Sequence, residues 1–176
     1  MIWRAILRST KAPLVIWERE DWGTITGLSY CTHVLTPVLW PLWYWENQRV
    51  GSQLRLMENG ASAHRARYTQ APQQEYAMPK LWWPPACPNL NPIENVWNLL
   101  KDRIEARRPR VPGLDQMSIA VWEEWDQIAG ADILHFISSL SQRIEESLPQ
   151  TGGILGGRMG FSLFFFFFLF FVLLSI

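Results

Sequence analysis

Residues 84–97, PPACPNLNPIENVW, set a proline-marked loop directly before a helix that opens on a carboxylate. Asn91 suits the N-cap, and Pro92 suits the first helical position, where a missing N–H leaves nothing unpaired. Glu94 then falls at the third helical position and Trp97 about one turn later. The helical run extends to about Arg107 and stops before Pro109. A carboxylate on such a rigid element can face a metal ion. The same spacing suits a capping box, in which Glu94 reaches back to the N–H of Asn91. Spacing alone leaves both readings open.

Working outward, residues 2–7 and 13–18 are rich in Ile, Val, Leu and Trp and predict two strands joined by a polar turn. Residues 27–46 carry apolar positions at helical spacing, with Pro37 and Pro41 set to kink or divide the helix. A short strand over 53–58 ends at Asn59-Gly60, a turn signal. A helix from about Ser62 to Ala71 and a strand over 79–83 follow. Beyond the helix that starts near Pro92, two more are predicted, near 117–128 and 132–148. Strands interleaved with helices define an α/β class.

Two blocks together resemble mariner-type DDE transposases, the cut-and-paste DNA endonucleases. LNPIENVWNLLKDRI, from Leu90, resembles the last catalytic block of that family, and LMENGASAHRAR, residues 56–67, resembles the second. About three dozen residues separate them, as the family spacing requires. SSLSQRIEESLPQTGG resembles the closing helix of the same domain. The resemblance covers residues 1–153 and implies a ribonuclease-H-like mixed sheet with flanking helices. It implies Glu94 as the third metal-binding carboxylate, Mg2+ as cofactor, DNA as partner and the nucleus as location. Residues 154–176 are set apart as a Gly-rich junction and a low-complexity tail.

The departures are chemical. Where the family's second block carries Asp, this chain has Asn59, which keeps a neutral oxygen but no charge; magnesium prefers charged oxygen ligands. Glu58 is adjacent, but successive strand residues face opposite ways. The first Asp of the family lies on a central strand shortly before a motif like MVWGAI. The chain opens MIWRAI, so that strand has no counterpart ahead of it, and Arg4 stands where the motif has Gly. The expectation is a sheet lacking its first, central strand, a poorly folded product and no activity.

Composition sets outer limits. At 176 residues, 48% of them apolar and 11 of them Trp, the chain is long enough for one real core. Sixteen basic and sixteen acidic residues cancel, so no global basic footprint of a nucleic-acid binder is present. Lys101, Arg103 and Arg107, with Arg108 and Arg110 nearby, form the clearest basic cluster. It is either a weak DNA contact or a solvated helix end with cations at its favourable pole. The Trp-rich stretches, with Trp40, Trp43 and Trp45 in one and Trp82 and Trp83 in the other, suit base stacking or, more simply, core packing. Cys31 and Cys87 form no CxxC pair and no metal-ligand spacing with His33, His64 or His135. His64 belongs to the second block yet suits a structural role equally. Arg4 and Arg8 interrupt the first apolar run, which excludes a signal-peptide pattern at the start.

From Phe161 the composition changes to FSLFFFFFLFFVLLSI, sixteen residues without charge. A membrane-spanning helix needs about 17–25 apolar residues, so the run is marginal as an anchor. A tail anchor and read-through of T-rich noncoding DNA are the two readings of residues 161–176.

Overall fold

The computed structural model describes residues 1–51, 54–81 and 90–147, together with the backbone of 169–175. Strand β1, Ile2–Leu7, turns back through Arg8 and Ser9 into β2, Thr10–Lys11. Arg8 takes a φ of 51°, the left-handed conformation that a two-residue hairpin loop demands. Strand β3, Val15–Ile16, pairs the start of β1, with Ile2 opposite Ile16. The strand predicted over 13–18 is reduced to Val15–Ile16, and β2 falls within the stretch that reads as a turn; Pro13, with no N–H to give the ladder, separates the two short strands.

Helix α1, Arg19–Trp22, leads to α2, Gly27–Tyr30, which Thr26 and Ser29 cap reciprocally. The helix then widens into a π segment, Cys31–Leu39, before α3, Trp40–Arg49. Pro37 sits inside the π segment, where the altered register absorbs its missing N–H. Strand β4 is Arg55–Glu58. The helix predicted from Ser62 is split into α4, Ser62–Arg65, and α5, Arg67–Glu75, by extended backbone at Ala66. Gly27 lets α2 approach there, since a Cβ on it would come within 2.3 Å of the Ala66 Cβ.

Lys80 forms a parallel bridge to Leu56, which is where the strand predicted over 79–83 meets the sheet; its last two residues, Trp82 and Trp83, lie with Cys87 outside the described residues. Helix α6, Pro92–Ala106, follows the sequence reading closely. Then come α7, Leu114–Gln127, α8, Gly130–Ser138, and α9, Leu140–Ser147, the last two divided at Ser139.

Strand β5, Leu169–Ser175, corrects the expectation of a sheet without a central strand. The sheet order is β2-β1-β5-β4, with β3 on β1. β5 runs antiparallel to β1 and parallel to β4, so the sheet is mixed. The membrane reading of 161–176 gains no support from the described residues. Residues 169–175 form a strand with a neighbour on each edge, and no helix among the described residues is long and apolar enough to cross a membrane.

Helices cover both faces, and strand alternation divides the core accordingly. Trp3, Ala5, Leu7 and Leu56 face one cluster with Val34, Leu35, Leu39 and Trp43. Ile6 and Met57 face the other, built on Ile93, Val96 and Leu100 of α6 and on Val121 and Trp125 of α7. Lys11 fastens that second layer, because its Nζ donates to the carbonyls of Trp125, Asp126 (2.8 Å) and Ile128 (3.1 Å) at the α7 C-terminus.

Candidate carboxylate centre

Glu94 sits in the first turn of α6, where the sequence places it. Asn91 holds the N-cap conformation at φ −87° and ψ 110°, but its side chain caps nothing. It is buried, and its Oδ1 has no hydrogen-bond partner among the described residues. The capping box does not form, so Glu94 is not spent on its own helix end and stays half-buried on the α6 layer.

The group that answers Glu94 is Arg4. Its place on β1, two residues from Ile6, turns it to the α6 side. It is fully buried, with its guanidinium carbon 3.2 Å from the Trp97 ring centroid and 5.1 Å from that of Trp125. Burial pushes the guanidinium pKa down to about 8, and the negative charge of Glu94 opposes that fall. None of its three nitrogens has a hydrogen-bond partner among the described residues. Stacking on Trp97 and attraction to Glu94 are what offset the desolvation of this cation.

Asn59 follows directly on β4. Its Oδ1 accepts the Ala61 N–H at 3.3 Å, an Asx turn that starts the path into α4. His64 is buried, and its Nδ1 lies 3.3 Å from the Asn59 carbonyl, an arrangement in which the ring donates. Burial lowers the His64 pKa; the nearby Glu58 charge and the Asn59 contact raise it, and Lys80 lowers it. The ring also packs edge-on against Tyr30 at 4.8 Å. His64 thus holds the end of β4 in place.

Glu58 points to the opposite side, as strand alternation requires. Its carboxylate accepts from Tyr30 Oη at 3.3 Å and from Gln73 Nε2 at 3.1 and 3.0 Å, and pairs with Lys80 Nζ at 2.7 Å. This network was missed in the sequence; the signal was the Glu58–Asn59 parity, which sends one of the two side chains away from α6. Lys80 also donates to the His64 carbonyl at 3.0 Å, so it joins β4 to α4.

The basic cluster on α6 is largely engaged within the fold. Arg107 donates to Glu123 and Glu124 of α7 at 2.7 Å each, Arg103 lies 3.7 Å from Asp132, and Lys101 lies over the Trp97 ring at 5.7 Å. Arg108 donates to the Glu105 and Arg107 carbonyls at 2.7 Å, closing the end of α6.

A magnesium ion does not fit this donor set. Glu94 has a buried guanidinium as its charged neighbour, and Asn59 offers a neutral oxygen already accepting a backbone N–H. The central strand reads LFFVLLS, without a carboxylate whichever way its side chains face. Among the described residues no group of three or more His, Cys, Asp or Glu is placed to hold a metal.

Comparison with known proteins adds two findings. Residues 45–118 match the family profile of the DDE superfamily endonucleases. Over 98 residues the chain is 24% identical to the transposable element Tc3 transposase of Caenorhabditis elegans, an alignment covering 56% of this chain and 30% of that protein. The matched piece is thus less than a third of that relative's length. The profile match takes in β4, Asn59 and the whole of α6 with Glu94, so the two blocks read from the sequence fall inside it. Both findings support a DDE transposase-type domain over the matched part of the chain.

Proposed function

We propose that this chain is a transposase-derived domain of ribonuclease-H-like architecture that no longer cleaves or joins DNA. Its lineage is that of nuclear proteins whose substrate is a transposon end and whose chemistry uses divalent metal. Arg4 carries the reading. Two-metal catalysis needs several carboxylates converging on a pair of cations. Beside Glu94 there is a buried arginine instead, and the residue in the second acidic position is Asn59, engaged in a turn. A resident cation lowers the electrostatic gain that a metal would find at Glu94.

The architecture supports the same lineage. A mixed sheet of β1, β4 and β5 with helices packed against it is compatible with that lineage. Weak DNA binding through α6 is disfavoured by the ion pairs of Arg103 and Arg107. The test is incubation of the purified chain with DNA bearing the terminal repeats of its own element, in Mg2+ or Mn2+. We expect no nicking above that of a Glu94→Gln control. Metal-dependent nicking lost in Glu94→Gln overturns the proposal.

A further inference from the structure

We infer that the gap between β1 and β4 is an acceptor slot for a single apolar strand, and that this chain's own Leu169–Ser175 fills it in cis, making the tail a structural part of the domain. The inference rests on strand geometry and stands independently of the loss of cleavage.

The slot is defined on both sides. All six residues of β1 pair with β5, from Ile2 opposite Ser175 to Leu7 opposite Phe170. All four residues of β4 pair with it, from Arg55 opposite Leu169 to Glu58 opposite Val172. The other edge of β1 is already taken by β2 and β3, and the other edge of β4 by the bridge to Lys80. With the slot empty, two inner edges with their N–H and C=O groups would stand unpaired inside the molecule.

The slot also selects the chemistry of its occupant. Trp3, Ala5, Ile6 and Leu7 of β1 and Leu56 and Met57 of β4 are essentially fully buried, and they face cores on both sides of the sheet. A strand between them is covered on both faces. Such strands are continuous apolar runs rather than alternating ones, and charge is not tolerated in them. LFFVLLS is such a run, and its one polar residue, Ser175, is placed at the end of the ladder opposite Ile2. Six of its seven residues, Phe170–Ser175, pair along the whole of β1, and Leu169 continues the ladder on β4 opposite Arg55. A low-complexity run that is a liability in water is therefore the composition that this position needs.

The decisive test uses the whole chain with Cys31→Ser and Cys87→Ser to remove native thiols. Ala5→Cys with Val172→Cys places two thiols on directly paired residues, whereas Ala5→Cys with Leu173→Cys places them on opposite faces. Under mild oxidation the first pair is expected to give a monomer with residues 5 and 172 linked, identified by peptide mass spectrometry, and at least tenfold more of it than the second pair gives. Linkage only between two molecules assigns the slot to a second copy and overturns the cis occupant. Equal linkage in both pairs, or none, overturns the register. Amide exchange on the unaltered chain is a second readout. Backbone amides of 170–174 should be protected to the level of Ala5, and exchange at the rate of a free peptide contradicts the inference.

Discussion

Replacing Arg4 by methionine should stabilise the domain. Arg4 is a fully buried cation with three nitrogens lacking hydrogen-bond partners among the described residues. The favourable terms are stacking on Trp97, worth up to about 2 kcal/mol for a desolvated cation, and attraction to Glu94. Against them stands an effective desolvation cost of several kcal/mol per ion. Methionine keeps an unbranched stem of similar reach against Trp97 and Trp125 and removes the charge. Glu94 is only half-buried, so it can turn to solvent when its partner is lost. Exchanges of buried ions for apolar groups are neutral to stabilising by about 1–4 kcal/mol. We expect Arg4→Met to gain about 1–3 kcal/mol, a rise in Tm of roughly 2–12 °C for a chain of this size.

Urea denaturation of the two proteins in parallel measures the gain, and its pH dependence identifies the cause. The folded guanidinium pKa lies near 8, well below the ordinary arginine value. Between those values the unfolded chain binds one more proton than the folded chain, so wild-type stability rises with pH. The advantage of Arg4→Met is therefore full at neutral pH and shrinks as pH climbs above 8. A loss of 1 kcal/mol or more on substitution would refute this reasoning, because it would make Arg4 a net stabilising group.

Two further predictions concern the opposite side of β4. Lys80→Met removes the only cation paired with the buried Glu58 carboxylate among the described residues, leaving Tyr30 and Gln73 as donors. It should cost roughly 2–3 kcal/mol, read by denaturant midpoint, while Lys80→Arg should cost less. His64 is held neutral by burial, with its pKa below the ordinary 6.5, so the unfolded chain takes up the proton first on acidification. Stability should fall as pH drops below about 6.5, by at most about 1.4 kcal/mol per pH unit from this residue, and His64→Gln should flatten that slope. Equal slopes in the two proteins count against the assignment.

What the sequence discloses follows from how local its causes are. The start of α6 is legible because Asn91-Pro92 fixes backbone conformation within two residues, and the helix ends one residue short of its predicted limit. The hairpin is legible less closely: its turn falls at Arg8 and Ser9, ahead of the polar stretch 9–12 that announces it, because no residue there fixes the backbone as Asn91-Pro92 does. The π segment is not, because Pro37 announces a disturbance but not whether a kink, a break or a widened turn will absorb it.

The role of the tail was hidden more deeply. The run LFFVLLS carries no periodicity, and its pairing with β1 spans nearly the whole chain, so only the finished sheet shows where it goes. Arg4 misleads in another way. A charge in mid-strand ordinarily marks a solvent face, and nothing near it in sequence announces Trp97 and Trp125 from two distant helices. At the candidate centre, the place of Glu94 in the first turn of α6 was legible from the Asn91-Pro92 signal. The missing cap at Asn91 and the cation beside Glu94 required coordinates.

The most direct test is a calorimetric titration of the purified chain with Mg2+ and Mn2+, repeated on Glu94→Gln. If no metal centre assembles, both proteins give the same weak heats, with affinity no better than about millimolar, the range of the weakest protein cation sites. A saturable site at micromolar metal that disappears in Glu94→Gln would contradict the account.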